Sequence, residues 1–122
     1  MIGYTTVGTD NLARAGKFYD ALFANLGAKR AMQDDKFIAW VKAEDSPMFS
    51  VHIPANGQTA TTGNGVMIAL VAKNRAQVDE IYNQAMTLGA TDEGKPGPRG
   101  DSGFYAAYFR DLDGNKLNIY CM

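Results

Sequence analysis

The sequence runs through one order of segments twice. Leu26-Gly27-Ala28 closes one helix-like stretch and Leu88-Gly89-Ala90 closes another, with Phe18-Tyr19 and Ile81-Tyr82 upstream of each. An aromatic strand follows each closure, at residues 37–41 and 104–109, and a shorter strand follows that, at 49–53 and 116–120. A duplicated unit in a chain of 122 residues predicts two similar modules sharing one sheet or cleft, with any site lying between them.

Periodicity supplies the elements. Residues 2–9 are strand-prone, and Thr9-Asp10-Asn11 then offers helix-capping side chains. Apolar residues at Leu12, Ala15, Phe18, Tyr19, Leu22, Phe23 and Leu26 make one stripe at helical spacing, which predicts a helix over 12–26 stopped by Gly27. Strands are expected at 29–33, 37–42 and 48–53. The small, polar, glycine-rich run that follows reads as a connector. The second half repeats the order. A strand is expected at 66–72 and a helix at 75–88, capped by Asn74 and carrying Val78, Ile81, Tyr82, Ala85 and Leu88 as its stripe. A short strand at 90–93, an irregular loop at 94–103 and strands at 104–110 and 116–121 complete it. The last two strands are joined by Asp111-Leu112-Asp113-Gly114-Asn115, which is hairpin chemistry. The fold class is therefore α+β: two tandem β-α-β-β-β modules forming paired curled sheets around a cleft. Module one covers residues 1–54, a connector 55–64 and module two 65–122, all within one domain.

Composition excludes several classes of function. Twelve Lys and Arg against 13 Asp and Glu leave no basic field, so nucleic acid is not an expected partner. No apolar run is long enough to span a bilayer and no signal-peptide pattern opens the chain, so no membrane partner is expected and a cytoplasmic location is. The single cysteine, Cys121, rules out an internal disulfide and fits a reducing compartment.

The first strand, the segment Asp10-Asn11-Leu12-x-x-Ala15-x-x-Phe18-Tyr19, then Leu26-Gly27 and much later Asp111-Leu112-Asp113-Gly114-Asn115, together resemble the vicinal-oxygen-chelate superfamily of glyoxalases, extradiol dioxygenases and bleomycin-resistance proteins. The resemblance covers essentially the whole chain. It implies a fold, a cleft and usually a homodimer, but no one chemistry, because the superfamily hosts several. Its metal enzymes take one ligand from the first and one from the last strand of each module, mostly His and Glu. Carried over position by position, these become Tyr4, His52, Met67 and Asn118. The internal repeat yields the same pairs, with Tyr4 and Met67 63 residues apart (67 − 4) and His52 and Asn118 66 apart (118 − 52). Only His52 is a good donor for a divalent ion, and no carboxylate stands within one residue of the four. No metal, no other cofactor and no catalytic residue is assigned.

The expected partner is a small organic ligand. His52, the one histidine, is either a satisfied strand residue or a cleft residue that hydrogen-bonds a ligand. Trp40 and Tyr108 are the strand aromatics assigned to the ligand, though register must decide which face each takes. If Asn118 faces the cleft so do Lys116 and Tyr120, and if His52 does so does Ser50. Loop 94–103 reads as a solvated connection. As a lid it would carry Arg99 to an anionic ligand, and Arg99 completes the candidate ligand-binding set. Asp111, Asp113 and Asn115 read as a turn, because the glutamate a calcium loop needs is absent. Three functions follow: a metal-free binding protein that sequesters an aromatic or amphipathic compound, a glyoxalase-like metal-dependent lyase, isomerase or dioxygenase-related enzyme, and an interaction module.

Overall fold

The computed structural model describes residues 1–122. The chain divides into two compact units, Met1–Thr62 and Gly63–Met122, and the division falls inside the segment read as a connector. The first unit runs β1 (Tyr4–Gly8), α1 (Leu12–Leu26), β2 (Lys29–Gln33), β3 (Phe37–Val41) and β4 (Met48–His52). The second runs β5 (Ile68–Val71), α2 (Arg75–Thr87), β6 (Thr91–Pro98), β7 (Tyr105–Arg110) and β8 (Lys116–Cys121). Each is the expected β-α-β-β-β order. The sheets are β1-β4-β3-β2 and β5-β8-β7-β6, with the first strand parallel to the last and the others antiparallel.

In the first unit α1 begins where Asn11 Oδ1 accepts from the Arg14 N–H at 3.0 Å. It ends at Gly27, whose φ of 77° is the left-handed conformation that a side chain disfavours. The apolar stripe of the helix is buried on one face of the sheet. Tyr19 and Phe23 meet Trp40 and Phe49 with ring centroids 4.8 to 5.6 Å apart. Ile38 and Val51, in register with each other, complete this core. Asp20 lies beside it on α1 and ties three elements. It accepts from the buried indole Nε1–H of Trp40 at 2.8 Å and from Arg30 of β2 through both carboxylate oxygens, at 2.8 and 2.7 Å.

The second unit is built the same way. Asn74 Oδ1 accepts from the Gln77 N–H at 2.9 Å and Gln77 Oε1 from the Lys73 N–H at 2.8 Å, which fixes the start of α2. Val78, Ile81, Tyr82 and Ala85 are buried, as are Ala107, Phe109, Leu117 and Ile119. Tyr105 on β7 donates to Asp79 of α2 at 2.8 Å, so the odd-numbered residues of β7 face the helix. That hydrogen bond, aided by burial, holds the Tyr105 hydroxyl above its ordinary pKa. In the β7–β8 joint, Asp111 Oδ1 accepts from the N–H groups of Asp113 and Asn115, both at 2.9 Å, and Oδ2 from Asn115 Nδ2 at 2.9 Å. The carboxylate thus organises the turn.

The segment after Glu93 departs from the expected loop. Residues 94–103 are not an irregular ten-residue loop, because β6 continues through Gly94, Lys95, Pro96 and Gly97 to Pro98. β6 is an edge strand, so a proline that lacks an N–H leaves no carbonyl of a second neighbour without its donor. Register shifts around Gly94 absorb the misfit with β7. Only the turn after Pro98 remains, closed by the Arg99 N–H donating to Phe104 O at 2.8 Å.

The hydrogen bond from Arg30 to Asp20, joined by the one from Trp40, holds the Asp20 carboxyl below its ordinary pKa. A depressed pKa adds stability above the unfolded-state value of about 3.9, and that stability is lost as pH falls through the lower folded value. Asp20→Ala should therefore destabilise the protein at pH 7 by about 1–3 kcal/mol, chiefly by leaving the Trp40 indole N–H without an acceptor. Asp20→Asn, which keeps an acceptor for Trp40, should cost less. Its deficit, read from urea unfolding, should shrink below about pH 4.

Candidate functional site

Each helix covers one face of its sheet. The opposite, helix-free faces carry most of the candidate site residues, and strand alternation decides which side chains reach them. In the first unit Tyr4 pairs with Met48, Thr6 with Ser50 and Gly8 with His52 across β1 and β4. Phe37 pairs with His52 and Ala39 with Ser50 across β3 and β4, and Met32 of β2 pairs with Ala39. These residues line one recess of about 390 Å³: Tyr4, Thr6, Met32, Phe37, Ala39, Met48, Ser50 and His52. No lysine, arginine or carboxylate is among them.

Two polar groups in the recess have fixed partners. His52 Nδ1 is hydrogen-bonded to the Ile53 carbonyl, and the imidazole stacks on Phe37 with centroids 5.9 Å apart and planes 5° from parallel. The carbonyl is an acceptor, so Nδ1 carries the proton and Nε2 keeps its lone pair in the neutral ring. The Ser50 hydroxyl donates to Thr5 O at 3.0 Å. The hydroxyls of Tyr4 and Thr6 remain free to rotate.

In the second unit Tyr108 pairs with Asn118, and Ala69 with Asn118, on the helix-free face. Asn118 is only 2% exposed, and its Nδ2 donates to Ala107 O at 3.1 Å. Lys116 Nζ lies 5.8 Å and the Arg99 guanidinium 5.5 Å from the Tyr108 ring centroid. Arg99 also donates to Lys95 O at 2.6 Å, so its guanidinium braces the β6–β7 end of the sheet. Met67 lies one residue before β5 and is partly exposed.

The seven candidate residues thus separate. Tyr4 and His52 line the recess of the first unit. Met67, Tyr108, Asn118 and Arg99 belong to the second. Trp40 is on neither helix-free face: at 1% exposure it is packed under α1, where its alternation partners Ile38 and Phe49 also lie. The repeat also pairs differently from the sequence offsets. The Thr9 N–H donates to His52 O and the Ala72 N–H to Tyr120 O, at 3.0 and 2.7 Å, one residue beyond Gly8↔His52 and Val71↔Tyr120. His52 therefore corresponds to Tyr120, and Ser50 to Asn118. The longer β6, eight residues against five in β2, carries the extra positions that shift the offset. Alternation from His52 reaches Ser50 and Met48 from sequence alone, whereas Met32 and Phe37 needed strand register.

Neither face has the donor set of a divalent metal centre. The first offers one imidazole with hydroxyls and thioethers; the second offers an amide, phenols and cations, and the Glu93 carboxylate beside them is held by Arg110. Nowhere do three His, Cys, Asp or Glu side chains converge.

The profile of the Glyoxalase/Bleomycin resistance protein/Dioxygenase superfamily matches residues 1–119. The chain belongs to that superfamily. A glyoxalase/bleomycin resistance protein from Albidiferax ferrireducens superposes with a TM-score of 0.89 at 33% identity, covering 98% of this chain and 97% of the other. A hypothetical protein from S. aureus gives 0.75 at 23% identity, covering 100% and 93%. A lactoylglutathione lyase from Agrobacterium tumefaciens gives 0.71 at 22% identity, covering 98% and 92%. None of the curated proteins matches the sequence. Neither helix is long and apolar enough to cross a membrane.

The two faces of β3 and β4 should respond differently to truncation. Trp40→Ala should cost about 3–5 kcal/mol in chemical unfolding, since it empties the core beneath α1. His52→Ala should change stability by about 1 kcal/mol or less, because the ring lies on the helix-free face.

Proposed function

We propose that this superfamily member is a binding protein that sequesters a small aromatic or amphipathic molecule, without a metal ion, in the recess of its first unit. The observation that carries the reading is the recess itself. Its volume is in the range of small-molecule sites, and apolar groups from Tyr4, Met32, Phe37, Ala39 and Met48 make most of its wall while Thr6, Ser50 and His52 supply a few polar atoms. Thioether and aromatic side chains adapt to flat apolar ligands. The donor chemistry supports the metal-free part of the reading, since a glyoxalase-type reaction relies on a Lewis acid that this residue set is poorly equipped to hold. A cytoplasmic setting is proposed with it, the free, buried thiol of Cys121 being compatible with a reducing compartment.

A thermal-shift screen of aromatic compounds tests the reading. Binders should raise the melting temperature in proportion to the logarithm of their concentration above Kd, while Zn, Ni, Mn or Fe should raise it little. A stoichiometric ion in the purified protein, removed by chelator with loss of stability, would favour a metal-dependent glyoxalase-like enzyme instead.

We further propose a homodimer. Both sheets are open, so their outer strands leave backbone edges unpaired, a standing motive for association. Light scattering at micromolar concentration should give about twice the 13.2 kDa chain mass, and a monomer mass would refute the proposal.

A further inference from the structure

The fixed polar atoms of the recess share one polarity. The N–H of His52 is committed to Ile53 O, which leaves Nε2 as a lone pair on a ring that lines the recess. The O–H of Ser50 is committed to Thr5 O, which leaves only lone pairs on its oxygen. Both residues lie on the same face of β4, two positions and so about 7 Å apart. The recess walls contain no ammonium or guanidinium that could receive an anion. Phe37 stacks on the imidazole and fixes the ring plane, so Nε2 has a set direction.

From this we infer that the recess selects an uncharged aromatic molecule bearing a ring-attached O–H or N–H, which donates to His52 Nε2, and that it discriminates against aromatic carboxylates. The inference rests on the small-molecule reading of the recess and adds the polarity of the ligand. A donor satisfies a desolvated acceptor, whereas a methylated analogue buries that acceptor unpaired. A carboxylate loses its hydration and meets two further acceptors, with no cation to replace the water. The Tyr4 and Thr6 hydroxyls turn toward any of these ligands alike and so do not separate them, and neither supplies the positive charge that a desolvated carboxylate needs.

The test uses the whole protein and three probes: 2-naphthol, 2-methoxynaphthalene and 2-naphthoate. Calorimetry should show 2-naphthol binding about three- to tenfold tighter than the methyl ether, with the carboxylate weakest. His52→Phe retains a ring against Phe37 but no acceptor, and it should bring naphthol and methyl ether within about twofold of each other. His52→Gln, which keeps an acceptor, should restore part of the gap. A readout independent of any variant comes from the single histidine, whose imidazole nitrogen-15 resonances need no assignment among competitors. Nδ1 should carry the proton in the free protein, and Nε2 should shift on adding 2-naphthol and not on adding the methyl ether. Equal affinity for naphthol and its ether, or a proton found on Nε2, would overturn the donor preference and leave the small-molecule reading standing. Failure of all three probes to bind or to move the Nε2 resonance would overturn both.

Discussion

Each unit is organised by one helix laid on one face of a four-stranded sheet. In the first unit the ring cluster of Tyr19, Phe23, Trp40 and Phe49 glues α1 to β3 and β4, and Asp20 locks the arrangement by accepting from both Trp40 and Arg30. A helix shields only one side of a sheet. Since strand side chains alternate, committing Ile38, Trp40, Phe49 and Val51 to the helix commits Phe37, Ala39, Met48, Ser50 and His52 to the other side. The recess is thus a geometric consequence of the core. A one-residue slip of β4 would exchange the two sets, burying His52 under α1 and exposing Val51.

This constraint also explains why the duplicated units present different surfaces. The cores are alike: Val78, Ile81 and Tyr82 answer to Ala15, Phe18 and Tyr19 as helix residues buried on a sheet. The helix-free faces carry no such burden and differ. The first is thioether- and ring-lined, with two oriented acceptors. The second places Arg99 and Lys116 over Tyr108 around a buried Asn118. Superfamily membership accounts for what the units share, namely the element order and the stacking of helix on sheet. It leaves the chemistry of the faces to the individual chain. Here those faces lack the imidazole and carboxylate set that a divalent ion requires.

The sequence by itself determined the duplicated β-α-β-β-β order, both helices and the Asp111 turn. These depend on local signals: a 3.6-residue stripe, an Asn cap, a Gly stop and an Asp-Gly pair. It also placed Ser50 on the side of His52, because alternation along one strand needs no partner. Tertiary structure decided what depends on pairing between strands. It sent Trp40 beneath α1, since its register partner Phe49 was already there. It matched His52 with Tyr120 in the repeat, because the longer β6 shifts an offset that segment order cannot reveal. It turned the proline- and glycine-rich segment after Glu93 into an edge strand, where a missing N–H has no inner neighbour to disappoint. It brought Met32 and Phe37 to His52 from separate strands, and it set which nitrogen of that ring is left open. Local propensity is written in neighbouring residues, whereas register and side-chain polarity are fixed only when distant segments meet.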